Sequence, residues 1–172
     1  MKTRYYSRVE SPVGPLLLLG DGESLTGMYM NRQRHGPEGP QDAKRDDDLF
    51  SQVRDQLKAY FAGELHKFDL RLEPEGTSFQ KTVWKGLLEI PYGVTESYGE
   101  LAKRIGHDLG ARAVGLANGR NPIGIIIPCH RVIGANGTLT GYGGGLERKQ
   151  WLLEHEQSHS KPRKPMQAQL SW

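Results

Sequence analysis

Ile127-Pro128-Cys129-His130-Arg131-Val132-Ile133 carries the only cysteine of the chain, at the end of an apolar run that begins at Ile123. A lone cysteine closing a strand-like run is ordinarily a small core hydrophobe. What makes this one a candidate nucleophile is its company. A thiol attacks only once it is thiolate, and here a base, His130, and a cation, Arg131, follow directly. If Ile123 to Pro128 is a buried strand, adjacent side chains point to opposite sides. His130 then reaches Cys129 only through a turn or a bridging water.

Upstream of this stretch the pattern is helical. Thr77 is a good N-cap for a helix carrying Phe79, Val83, Trp84, Leu87 and Leu88, and Ile90-Pro91-Tyr92-Gly93 stops it. Ser97 caps a short helix, Tyr98 to Ile105. Gly106 to Gly110 makes a tight connection, and a second helix runs from Ala111 to Asn118 before Gly119-Arg120-Asn121-Pro122 ends it. Tyr98 to Asn118 therefore reads as a helix–turn–helix, a motif that grips duplex DNA, although many helical hairpins bind nothing. The second helix lacks the run of Gln, Asn and Arg that would decode major-groove edges. Its small residues, Ala111, Ala113 and Gly115, allow close approach and fit a minor-groove contact with little sequence preference. They equally suit tight helix packing. Arg112 is the long cation of this helix and Asn118 ends it. Downstream of Cys129, Gly141-Tyr142-Gly143-Gly144-Gly145 is a flexible loop before a last helix, Leu146 to about His155. From Gln157 the chain is Lys/Pro/Gln-rich and is expected to be disordered.

The N-terminal part reads as β followed by one helix. Tyr5 to Glu10 and Leu16 to Leu19 are strand-like around the turn Ser11-Pro12-Val13-Gly14-Pro15, and a third strand follows at Leu25 to Met30. The polar segment Arg32 to Asp48, with Gly36, Pro37, Gly39 and Pro40, is expected to be a mobile loop. Leu49 to Phe61 spaces Phe50, Val53, Leu57, Tyr60 and Phe61 as a helix, and Phe68 to Leu72 alternates like a strand. Glu73-Pro74-Glu75-Gly76 is a plausible boundary.

Composition narrows the classes. At 172 residues, 36% hydrophobic and 25% charged, the chain suits a soluble globular protein of one core or two small units. No run approaches the roughly 20 apolar residues of a membrane helix, and the N-terminus lacks a secretory core, so an intracellular, cytoplasmic location and no membrane partner are the default expectations. One cysteine excludes an internal disulfide and a thiolate-rich zinc site, and the scattered histidines argue against any metal. The net charge of +3 is compatible with nucleic acid. Asp46-Asp47-Asp48 lies early, whereas Lys103, Arg104, Arg112, Arg120, Arg131, Arg148 and Lys149 lie late, so the later part is the better candidate for touching phosphate.

The string around Cys129 resembles the active-site motif of the O6-alkylguanine-DNA alkyltransferases, also known as methylated-DNA–protein-cysteine methyltransferases. The likeness extends in order through Phe79, Trp84, Pro91-Tyr92-Gly93, Ser97-Tyr98-Gly99, Ala111-Arg112-Ala113-Val114-Gly115, Asn121-Pro122, Tyr142-Gly143-Gly144-Gly145 and Leu152-Leu153-Glu154-His155-Glu156. Ser11-Pro12-Val13-Gly14 and Tyr60-Phe61 with Gly63 are similar to the family's first domain. This resemblance implies an α/β (α+β) architecture. A small N-terminal β-sheet with a helix, RNase H-like, would occupy residues 1–73. A mainly helical, winged helix–turn–helix-like domain holding DNA and active site would occupy 77–156, before the disordered tail, 157–172.

The resemblance also implies roles. Cys129 would accept the alkyl group, His130 would remove its proton through water, and Glu156 would orient His130 and stabilise its charge. Asn121 would organise the turn beside the cysteine, and Tyr98 would donate its hydroxyl to the departing guanine. The Val132 backbone and the Tyr142-Gly143 loop would recognise the extruded base. Arg112 would fill the place of the flipped nucleotide, with Ala111, Ala113, Gly115 and Asn118 as DNA contacts in the minor groove of double-stranded DNA. The expected activity is that of a methylated-DNA–[protein]-cysteine S-methyltransferase, monomeric in solution. O4-alkylthymine repair and cooperative assembly on DNA stay open. Nothing in the chain could hydrolyse the resulting thioether, so it reacts once, and it needs no cofactor.

Two other readings compete. A cysteine hydrolase or amidotransferase would use Cys129, His130 and Glu156 but leave the helix–turn–helix and Arg112 idle. A noncatalytic DNA-binding regulator would make Cys129 incidental.

Overall fold

A strand with four leucines in succession has no solvent face, and Leu16–Gly20 (β2) accordingly lies inside the sheet between Tyr5–Val9 (β1) and Leu25–Met30 (β3), both antiparallel to it. The computed structural model describes residues 3–37, 39–40, 42–106 and 110–160. The sheet order is β3-β2-β1-β4, where β4 is Lys44–Arg45, paired parallel to β1. The turn between β1 and β2 is closed by Ser11, whose hydroxyl donates to Gly14 O at 2.6 Å, and Gly14 sits at φ +98°, which favours a residue without Cβ. A 3-10 turn, Asp47–Phe50, capped by Asp46, leads into helix Ser51–Phe61 (α1). That helix buries Val53, Leu57 and Tyr60, one stripe at helical spacing, in a core shared with β2 and β3.

The helical half begins at Ser78–Leu88 (α2). Thr77 and Gln80 form a reciprocal capping box that satisfies two otherwise orphaned amides. Ser97 and Glu100 repeat the device at Tyr98–Arg104 (α3), and Gly110–Gly119 (α4) packs against α3 and α2. Glu96–Ser97 (β5) pairs parallel with Val132–Ile133 (β6), and Leu146–His159 (α5) closes the chain. The molecule is thus mixed α/β, with a small N-terminal sheet and a helical C-terminal part. No helix among the described residues is long and apolar enough to cross a membrane.

Four expectations change. The segment Arg32 to Asp48 is no plain loop: it supplies β4 and the 3-10 turn, and Arg34 N donates to Gly143 O at 2.8 Å. Phe68 to Leu72 is not a strand. Gln56 holds Asp69 by donating to its carbonyl and accepting from its amide, so only Leu72 bridges the sheet, at Leu25. Ile123 to Pro128 is a buried turn, with Ile127 N donating to Ile123 O and Ile125 at φ +68°. An apolar run cannot be told from such a turn by periodicity. Lastly, α5 runs to His159, past the expected start of the tail at Gln157; residues 161–172 lie outside the described residues, as do 107–109 of the expected tight connection.

The edge of β3 positions the reactive segment. Met28 N donates to Pro122 O at 2.8 Å and Gly124 N to Met28 O at 3.3 Å, so the chain leading to Cys129 is tied to the N-terminal sheet.

Candidate active site

Asn121 sets the local geometry. Its Nδ2 donates to Ile127 O at 2.8 Å while its Oδ1 accepts from Ile123 N at 3.0 Å, which folds the isoleucine run back on itself. The chain then enters a 3-10 turn, Cys129–Arg131, all of it buried. Cys129 and His130 are therefore not on an extended strand, and the strict alternation expected for one does not hold.

Glu156 on α5 faces this turn. His130 Nε2 lies 2.7 Å from Glu156 Oε2; Arg131 donates Nε to Oε1 at 2.8 Å and Nη2 to Oε2 at 3.0 Å, and its Nη1 donates to Ile90 O. Burial alone would raise the Glu156 carboxyl, but His130 and Arg131 outweigh it and hold it well below the usual carboxylate range. An ionised carboxylate only accepts, so His130 carries its hydrogen on Nε2 and keeps a lone pair on Nδ1. Burial holds His130 below the ordinary imidazole value, with Glu156 pulling it up and Arg131 and Lys149 pushing it down. His130 is thus neutral near pH 7. Its Nδ1 is buried and has no hydrogen-bond partner among the described residues.

Burial pushes the Cys129 thiol up, against the Asn121 side chain and the Lys149 ammonium, which both favour thiolate. Lys149 was placed by sequence with the phosphate-touching cations. It is instead fully buried on α5, donates Nζ to Thr140 O at 2.7 Å, and lies 5.9 Å from the Tyr98 ring centroid. Burial lowers its pKa to about 8. Lys149→Met is expected to slow reaction of the thiol at pH 7 about tenfold, since each unit of thiol pKa is a tenfold loss of thiolate. Reaction rates with a small thiol reagent across pH check this, and coincident profiles would count against it.

Tyr98, at the start of α3, is half-buried; its hydroxyl donates to Thr140 O at 3.4 Å, and burial raises its pKa. Tyr142 is half-buried and faces Cys129, and burial holds its phenol well above the usual value. Gly143 follows it, with its carbonyl taken by Arg34 N. Val132 is buried in β6, and its amide donates to Cys129 O. Ala111 and Arg112 are exposed on α4, with Ala113 half-buried and Gly115 against the Tyr98 ring. Asn118 corrects the DNA-contact set: it is 2% exposed and points inward, with Nδ2 3.4 Å from Cys129 O. The periodicity of α4 explains this, because Asn118 shares the buried face of Val114 and Ala117.

The basic list shrinks further. Arg104 is bound to Glu96, Glu89 and Gly86 O, Arg148 donates to Asn31 O, and Arg131 is buried. Lys103, Arg112 and Arg120 remain exposed. Sequence reasoning gave Arg131 and Lys149 only a place among the phosphate-touching cations, and gave no role to Tyr60, whose hydroxyl donates to Glu156 Oε2 at 2.6 Å. Leu116, an exposed leucine beside Arg112 on α4, was also passed over.

Comparisons with known proteins agree along the chain. Residues 4–74 match the family model described as 6-O-methylguanine DNA methyltransferase, ribonuclease-like domain, and residues 78–158 match 6-O-methylguanine DNA methyltransferase, DNA binding domain. A methylated-DNA–protein-cysteine methyltransferase of Methanosarcina acetivorans is 55% identical over 90% of this chain and 99% of its own length. One from Mycobacterium tuberculosis is 56% identical over 91% and 94%. The crystal structure of Mycobacterium tuberculosis OGT in complex with DNA superposes with a TM-score of 0.86 at 57% identity, covering 90% of this chain and 94% of that one.

Proposed function

Since this chain belongs to the 6-O-methylguanine DNA methyltransferase family, we propose that it takes the alkyl group of an extruded O6-alkylguanine onto Cys129 and keeps it. Family membership carries the coarse activity, DNA repair by alkyl transfer to a protein cysteine. The residue roles are the proposal. The observation that supports them best is the buried His130, held by Glu156 on Nε2 and, among the described residues, without a hydrogen-bond partner on Nδ1, next in the chain to the buried Cys129.

His130 Nδ1 takes the thiol proton through a water. The thiolate attacks the alkyl carbon, an S–C bond forms, and the C–O bond breaks with its electron pair passing to guanine. Tyr98 supplies a proton to the departing base, which makes guanine a better leaving group, and the proton taken up by His130 returns to Tyr98 through solvent. Alkyl has been exchanged for hydrogen, and the thioether is final. Asn121 and Lys149 favour the thiolate, while Tyr142, Gly143 and Val132 line the place for the base. O4-alkylthymine carries the same kind of alkoxy carbon and is the second candidate substrate. The N-terminal unit, 1–73, braces the reactive turn, and 77–156 holds DNA and thiol.

Extrusion is required because a stacked base hides its alkyl carbon, and it costs a few kcal/mol. Exposed Arg112 on α4 fills the gap in the stack, with Ala111 letting the helix approach the minor groove. Arg112→Ala is therefore expected to slow transfer from duplex by about tenfold or more, since 1.4 kcal/mol is one decade. Transfer from the same alkylated guanine as a free base should move far less. Single-turnover rates on both substrates test the reading, and equal slowing on both would contradict it.

A further inference from the structure

The carboxylate that orients His130 is shared with a residue from the other half of the molecule. Tyr60, on α1, is fully buried, and its hydroxyl donates to Glu156 Oε2 at 2.6 Å, the same oxygen that His130 Nε2 meets at 2.7 Å. That oxygen also accepts from Arg131 Nη2, while Oε1 takes Arg131 Nε and, at 3.3 Å, Gly93 N. The phenol is held in place. Tyr60 O lies 2.8 Å from His155 Nε2, and its ring packs edge-on to Phe61 and Tyr92 and tilted against Phe68 and His155.

We propose that Tyr60 is a positioning residue for alkyl transfer, setting through Glu156 how readily His130 accepts a proton. This rests on the reading of His130 as the base. A buried tyrosine needs some acceptor for its hydroxyl, and any backbone carbonyl would serve a purely structural role. This one competes with His130 for a single oxygen instead. Every donor to a carboxylate draws on the negative charge that stabilises a neighbouring imidazolium. Without the phenol, Glu156 stabilises protonated His130 better, and the base is lost to protonation at a higher pH. The other titratable or charged groups facing His130 and Glu156, among the described residues, are Tyr92, Arg131, Tyr142 and Lys149, with Cys129 and His155 adjacent in the chain. None of them bonds Oε2 as closely as Tyr60 does.

The experiment is the pH profile of single-turnover methyl transfer from duplex DNA containing O6-methylguanine, for the full chain, Tyr60→Phe and His130→Gln. Transfer should fall away at low pH in the native chain, and this acid limb should vanish in His130→Gln. In Tyr60→Phe it should move up by about half a pH unit. Placing 3-fluorotyrosine at position 60 keeps the donor and strengthens it, so the limb should move down; this variant reads the same property if Tyr60→Phe does not fold. An acid limb that vanishes in His130→Gln but stays at its native position in both Tyr60 variants, whatever their melting temperatures, would overturn the role of Tyr60 and leave His130 as base. A limb that survives His130→Gln would overturn both.

Discussion

Glu156→Gln is expected to lower stability by about 3–5 kcal/mol and to slow alkyl transfer by about a hundredfold or more. The amide keeps the shape but removes the charge from a site where Arg131 and His130 are buried with it. Arg131 cannot lose its proton, so the variant holds an unpaired guanidinium under α5. Breaking a buried pair by deleting one partner is the costly case, because the remaining charge is neither solvated nor matched. The kinetic loss has a separate origin. Glutamine can place its NH₂ toward His130 Nε2, which would favour the tautomer with hydrogen on Nδ1 and remove the lone pair proposed to act as base. Urea melts at pH 7 and single-turnover rates measure the two effects. A stability loss below about 1 kcal/mol would show that the pair at Arg131 is not what the geometry indicates.

The same groups fix how native stability responds to acid. His130 has its pKa lowered in the fold, so the unfolded chain binds the proton first. Its contribution is present above the ordinary imidazole value near 6.5 and is lost as pH falls below that. Glu156 is depressed as well. Its contribution is present above the ordinary value of 4.5 and drains away as pH falls through the folded value. Two successive losses are expected in the native chain, and Glu156→Gln should lack the second.

Much of this was legible in order along the chain. Thr77 and Ser97 marked helix starts because a short side-chain oxygen just before a helical pattern is a local N-cap signal, and both side chains cap. Leu25–Met30 was legible from the turn at Gly20-Asp21-Gly22 that precedes it. The turn at Ile123 to Ile127 was not, because it is made by the two arms of one asparagine and carries a β-branched residue at positive φ. Lys149 was misread because lysine is almost never buried, and nothing nearby in sequence announces Thr140 O as its partner. Tyr60 lies 96 residues from Glu156, so only the packing of α1 against α5 could reveal the bond. Arg131 stood in plain view beside His130 and was counted with the phosphate-touching cations, because an arginine in a motif reads as a phosphate ligand before it reads as a buried counter-ion.

Cys129→Ala should have the largest effect of all: complete loss of alkyl acceptance with the fold kept. Cys129 is 6% exposed and belongs to the buried apolar core, so removing one sulfur leaves a small cavity rather than a broken network. His130 and Glu156 stay paired in the variant, since their bond does not pass through the sulfur. DNA affinity should persist, because Arg112 and Ala111 stand on the outer face of α4. The contrast separates alkyl transfer from both rivals. A hydrolase would process ester or amide substrates repeatedly, and a regulator would function normally as Cys129→Ala.

The most direct test is intact-mass spectrometry of the native chain and Cys129→Ala after incubation with excess duplex DNA containing O6-methylguanine. The native chain should gain one methyl group in place of one hydrogen, located by peptide mapping at Cys129, with no further gain over time and none in Cys129→Ala. An unmodified native chain under reducing conditions, or the same gain in Cys129→Ala, would contradict the account.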